Sequence, residues 1–123
     1  MEELTVELLI AKIRDKDDKV RTAAWQAAGP VGAAALAALA AVVKDGELEV
    51  SRAAGRAMWQ IVRCSGRPGA RAEKRAAGEA LVKLLRDEQQ PVQLRRDIVW
   101  MLSEIFDDDA IDPAGAATLF ADV

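Results

Sequence analysis

The 123 residues predict an all-α chain of paired helices, and three observations carry that expectation. Helix-favouring residues dominate, with about a fifth of the chain alanine. Period-two runs of β-branched and aromatic residues, the mark of strands, are absent. Polar breaks recur at Asp15 to Lys19, Gly29 to Gly32, Lys44 to Glu47, Cys64 to Arg71, Asp87 to Gln90 and Asp107 to Asp112. The segments between them predict helices of about 11 to 17 residues, ordinary lengths for a globular domain.

The breaks are related to one another. Arg14-Asp15-Lys16-Asp17-Asp18-Lys19-Val20 recurs as Lys44-Asp45-Gly46-Glu47-Leu48-Glu49-Val50 and as Arg86-Asp87-Glu88-Gln89-Gln90-Pro91-Val92. The helix before each Asp carries its apolar residues in one register. Val6, Leu9, Ile10 and Ile13 correspond to Leu36, Leu39, Ala40 and Val43, and then to Gly78, Leu81, Val82 and Leu85. The helix after each turn opens on an apolar residue and repeats apolar positions at +4, +7, +8 and +11, a single buried stripe. Val20 starts such a stripe with Ala24, Ala27, Ala28 and Val31, and Val50 starts the next with Ala54, Ala57, Met58 and Ile61. In the third copy Leu94 fits better than Val92, with Ile98, Met101, Leu102 and Ile105 following. Asp112-Pro113 supplies an N-cap and a proline at the first helical position, which opens a seventh helix, Ala114 to Ala121. Leu119, Phe120 and Val123 would cover the third unit, or offer an apolar edge for end-to-end self-association or a longer array.

Asp15 with Val20-Arg21 and Ala24, Asp45 with Val50 and Ala54, and Asp87 with Leu94-Arg95 resemble the HEAT repeat in its short bacterial form. The resemblance implies one domain over residues 1–123, an α-solenoid of about three helix-turn-helix units (4–31, 33–63 and 72–106) with an extra helix at 113–121. It also implies that the turn Asp and the helix-start Arg form a ladder between neighbouring turns, and that partners bind the face lined by the second helices. Asp15, Asp45, Asp87, Arg21 and Arg95 are structural on this reading. Ser51 stands where the other units carry Arg, and Pro30 interrupts the end of the first unit.

Composition narrows the chemistry. The chain has no histidine and a single cysteine, Cys64, so the commonest general base and metal ligand is missing and no internal disulfide can form. Cys64 and Ser65 lack a histidine to activate them. Gly66-Arg67-Pro68-Gly69 lacks the strands of a nucleic-acid-binding loop module, and Asp107-Asp108-Asp109 with Asp112 lacks the glycine and glutamate spacing of a calcium loop. Trp100 and Asp97 could imitate the pocket of HEAT-like DNA glycosylases, but the chain is about half the size that fold needs. The expectation is a non-enzymatic protein with no cofactor and no metal. The acidic start Met1-Glu2-Glu3 lacks the basic region of a secretory signal, and the most apolar stretch, Val31 to Val43, is too short to span a membrane. A cytoplasmic protein without membrane contact follows.

Partner binding is expected on the face opposite the buried stripes. Positions +2, +6, +9 and +13 of the second unit are Arg52, Arg56, Trp59 and Arg63, and the third unit adds Arg96, Trp100, Ser103 and Asp107. Trp25 is turned aside and is read as a residue packed between units. Residues 49–99 hold 11 Lys and Arg against 6 Asp and Glu, whereas residues 100–123 hold 6 acidic residues and no basic one. The net charge of −3 thus conceals a basic middle. Trp and Arg are enriched at binding hot spots. Arg52, Arg56, Trp59, Arg63, Arg96 and Trp100 suit a protein or acidic peptide, and alternatively a nucleic-acid backbone. The competing reading has the arginines merely solvating the helices while Trp59 and Trp100 are half-buried against neighbours.

Overall fold

The computed structural model describes residues 3–107. Six helices follow one another: α1 (Val6–Ile13), α2 (Asp18–Gln26), α3 (Leu36–Asp45), α4 (Leu48–Ser65), α5 (Arg71–Arg86) and α6 (Val92–Asp107), with short 3₁₀ turns at Gly29–Val31 and Ala33–Ala35. There is no strand among the described residues. The expected seventh helix, its Asp112-Pro113 opening, and Leu119, Phe120 and Val123 lie outside them.

Local chemistry explains where the helices start and stop. Thr5 Oγ1 accepts from the Leu8 N–H at 3.1 Å, and Asp17 Oδ1 from the Lys19 N–H at 2.9 Å, so both early helices open on side-chain caps. Asp15 Oδ1 accepts from the Asp17 N–H at 2.8 Å, and Asp87 Oδ1 from the Gln89 N–H at 2.9 Å. The first and third turns are therefore held by the same Asx geometry. The helices depart from the expected lengths: α1, α2 and α3 have 8, 9 and 10 residues, and α4 has 18. Alanine-rich sequence runs on past Gln26, but Pro30 has no N–H to donate and Gly32 adopts φ +85°, so residues 29–35 form two 3₁₀ turns instead of extending either neighbour.

One device closes all three helix-turn-helix connections. Arg21, only 9% exposed, donates Nη1 to the carbonyls of Asp15 and Lys16 at 2.8 and 2.9 Å, and Nη2 to Asp18 Oδ1 at 3.1 Å. At the same register position, Ser51 Oγ donates to the Val43 carbonyl at 2.8 Å, and Arg95 Nε to the Leu85 carbonyl at 3.1 Å. Ser51 and Arg95 supply partners to last-turn carbonyls that have none within their helices, and Arg21 does so for carbonyls of the turn itself. Reach matches turn length. Arg serves the turns of residues 14–17 and 87–91, while Ser suffices where only Gly46 and Glu47 separate α3 from α4. A Cβ on Gly46 would lie 2.7 Å from the Val42 carbonyl oxygen, so that turn closes tightly only with glycine. The bonds of Arg21, Ser51 and Arg95 thus run within single turns, in contrast to the ladder between turns implied by the family resemblance.

The helices pack in two rows. α1 lies against α3 and α3 against α5, while α2 lies against α4 and α4 against α6; each first helix also packs on its successor across the turn. Leu9, Ile13, Leu36, Leu39, Leu81, Met58, Ile61, Ile98, Met101, Leu102 and Ile105 fill the space between the rows. Counted from Leu94 in the third copy, the expected stripes are buried or half-buried with one exception. Ala27 is exposed because α2 ends at Gln26 and the following residues leave the helical register. The slip in the third copy is visible in the burial: Val92 is 65% exposed and Leu94 is 3%. No described helix is long and apolar enough to cross a membrane.

Urea denaturation can check the turn device. Arg21→Ala is expected to cost about 2 kcal/mol, since it removes the charge-assisted bonds of a buried guanidinium to the Asp15 and Lys16 carbonyls, and Ser51→Ala about 1 kcal/mol. For comparison, Ile98→Ala should cost about 2–5 kcal/mol by opening a cavity between the rows.

Candidate functional site

The outer side of α4 carries the arginines because the helix buries Ala54, Ala57, Met58 and Ile61 on its other side. Arg52, Arg56 and Arg63 are all exposed, as are Arg96 and Trp100 on α6. α4 and α6 are in contact, so both groups belong to the row of second helices.

The arginines are held differently along the row. Arg52 Nη1 lies 3.4 Å from Glu49 Oε1, an exposed pair one turn apart that contributes little to stability. Arg56 lies over the ring of Trp25, its Cζ 5.7 Å from the centroid, and Arg63 lies over Trp59 at the same distance. Both distances lie within cation–π range, and neither Arg56 nor Arg63 forms an ion pair among the described residues, so their N–H donors are available to an oxyanion. Arg96 makes no ion pair among the described residues, and Trp100 is 69% exposed.

Trp59 and Trp25 both lie half-buried against the core, Trp59 as the competing reading has it. Trp59, placed outward by its helical position, is half-buried and packed against the core, because its large ring folds down beside the helix while Arg63 covers it. Trp25, read as a residue packed between units, is half-buried and also forms the platform for Arg56 of the neighbouring second helix. The signal was present in the sequence: Trp25 is at +5 and Arg56 at +6 of consecutive units, so helices lying side by side bring the two together.

The connection Gly66–Ala70 is more constrained than its Gly-Arg-Pro-Gly composition suggests. Arg67 Nη1 donates to the Cys64 carbonyl at 2.5 Å and lies 3.5 Å from Cys64 Sγ, while Nη2 reaches Glu73 Oε1 at 3.5 Å. Arg67 is thereby turned back on its own connection. Cys64 itself is half-buried, and a Cβ on Gly29 would stand 3.1 Å from its Cβ. A separate cleft of about 410 Å³ lies on α1 and α2, lined by Leu4, Lys12, Lys19, Val20, Ala23, Ala24 and Ala27. Among the described residues no group of three His, Cys, Asp or Glu side chains could hold a metal ion. The acidic run Asp108 to Asp112 lies outside them.

Compared with protein-family models, curated proteins and solved structures, the chain matches none.

The two tryptophans on the row should separate in a denaturation experiment. Trp59→Ala is expected to cost about 2 kcal/mol, less than the loss of a fully buried Trp. Trp100→Ala should stay within about 0.5 kcal/mol of the parent, as surface changes do.

Proposed function

We propose that this chain is a HEAT-like α-solenoid, a non-enzymatic cytoplasmic scaffold that binds an acidic peptide segment through Arg52, Arg56, Trp59, Arg63, Arg96 and Trp100. The solenoid reading is supported by the two rows of helices and by one turn-closing bond recurring at the same register position, Arg21, Ser51 and Arg95. The observation that carries the binding reading is the pair of arginines in cation–π contact with tryptophans, Arg56 with Trp25 and Arg63 with Trp59.

A guanidinium in cation–π contact with an indole is restrained before any ligand arrives, so less entropy is lost on binding. Its N–H groups can donate to the two oxygens of a carboxylate in parallel N–H···O bonds. Trp100 adds an exposed ring for an apolar side chain of the same peptide. The acidic side chains Glu49, Asp97 and Glu104 on the same two helices favour a peptide with spaced carboxylates over a continuous phosphate backbone.

Fluorescence anisotropy with a fluorescein-labelled peptide of alternating Asp/Glu and Leu/Phe tests this reading. The double variant Arg56→Gln, Arg63→Gln is expected to bind about tenfold more weakly, the loss of about 1.4 kcal/mol, with its fold retained by circular dichroism. Unchanged binding by the double variant, or no binding by the parent at low salt, would overturn the proposal. Binding of a single-stranded oligonucleotide in preference to the peptide, with a steep log-linear loss on adding salt, would replace it with the nucleic-acid reading.

A further inference from the structure

The cleft of about 410 Å³ on α1 and α2 has the size of a small-molecule site. Its floor follows from the repeat. Val20, Ala23 and Ala24 are spaced to share one face of α2, and Ala27 follows at the helix C-cap. The same register positions on α4 are Val50, Ala53, Ala54 and Ala57, and there the three alanines are buried among the neighbouring helices. On α2, Ala23 and Ala27 are exposed and line the cleft instead. Short side chains at these positions leave room for an apolar body.

The lining changes character along its length. Only Arg14 to Asp17 separate α1 from α2, so the two helices run antiparallel, with the end of α1 beside the start of α2. Lys12, in the last turn of α1, and Lys19, in the first turn of α2, therefore meet at one end of the cleft, and Leu4 and Ala27 at the other. The helical rise from Lys19 to Ala27 is about 12 Å. Acidic residues occupy the intervening turn but are engaged elsewhere: Asp15 and Asp17 accept from backbone N–H groups, and Asp18 from Arg21. Among the described residues no carboxylate lines the cleft, and Lys19 makes no ion pair. The cleft is thus cationic at one end and apolar at the other.

A ligand that matches this lining has an elongated apolar body and a single anionic end. We propose that the cleft binds a free fatty acid of medium chain length, its carboxylate at Lys12 and Lys19 and its chain running over Val20, Ala23 and Ala27 toward Leu4. Burial of the chain supplies the affinity, and charge-assisted bonds from the ammonium groups fix its direction. The site is separate from the face assigned to acidic peptides and does not rest on that reading.

Isothermal titration calorimetry of the full chain with decanoate, below its micelle-forming concentration, tests the proposal. Saturable one-to-one binding is expected, with the methyl resonances of Ala23 and Ala27 shifting in step by NMR. Ala23→Leu fills the cleft from an exposed position, and Lys19→Glu reverses a charge at its cationic end. Each should weaken binding about tenfold or more, while Lys19→Arg retains it; circular dichroism checks the fold of every variant. Decyltrimethylammonium, with the same chain and the opposite charge, should bind about tenfold more weakly than decanoate or worse. Absence of saturable decanoate binding to the parent would sink the proposal. So would equal binding of the cationic amphiphile, or an unchanged decanoate affinity in either Ala23→Leu or Lys19→Glu, since the contact would then be non-selective or lie elsewhere.

Discussion

The fold is organised around the close approach of other helices to α4. That helix is in contact with all five others and with both 3₁₀ turns, which is possible only if its contact surface is low. Ala53, Ala54 and Ala57 provide a surface on which neighbouring backbones come near, and Met58, Ile61 and Val62 fill the deeper space beyond. Helix separation depends on the side chains at the contact. Larger residues at those alanines would push α2, α3 or α6 outward and open the space between the rows. The high alanine content of the chain thus has a packing role beyond helix propensity.

The same packing sets the outer surface. Because α4 turns its small and apolar residues inward, its arginines face out. Because α2 lies directly against it, Trp25 comes beneath Arg56. The Arg–Trp contact across two helices therefore arises from core packing, while that of Trp59 and Arg63 follows from spacing within one helix. On α6 the buried side is formed by Leu94, Ile98, Met101, Leu102 and Ile105, and the opposite side is left with Val92, Val99 and Trp100.

The turns tie the pairs together with limited sequence identity. Arg21, Ser51 and Arg95 differ in size, and Ser51 carries no charge, yet each donates to a backbone carbonyl just before its helix, Arg21 in the turn and Ser51 and Arg95 in the last turn of the preceding helix. What recurs is a donor of the right reach. A long guanidinium spans the longer turns, and a hydroxyl spans the tight one closed by Gly46. Ser51 departs from the residue type of the other units while keeping the bond.

Helix pairing, the buried stripes and the slip from Val92 to Leu94 were legible in the residues alone, because a helix of fixed period must bury its apolar face and that period is written in the spacing. The exposed position of the arginines and of Trp100 followed from the same geometry. The shortness of α1, α2 and α3, the choice between an outward and a half-buried Trp59, and the inward turn of Arg67 were not legible. Each depends on which surface lies beside the residue, and a large side chain near the edge of a helix face can lie on its neighbours or stand in water at nearly equal local cost. Periodicity settles the side of the helix from which a side chain leaves; only the packed neighbours decide where it comes to rest.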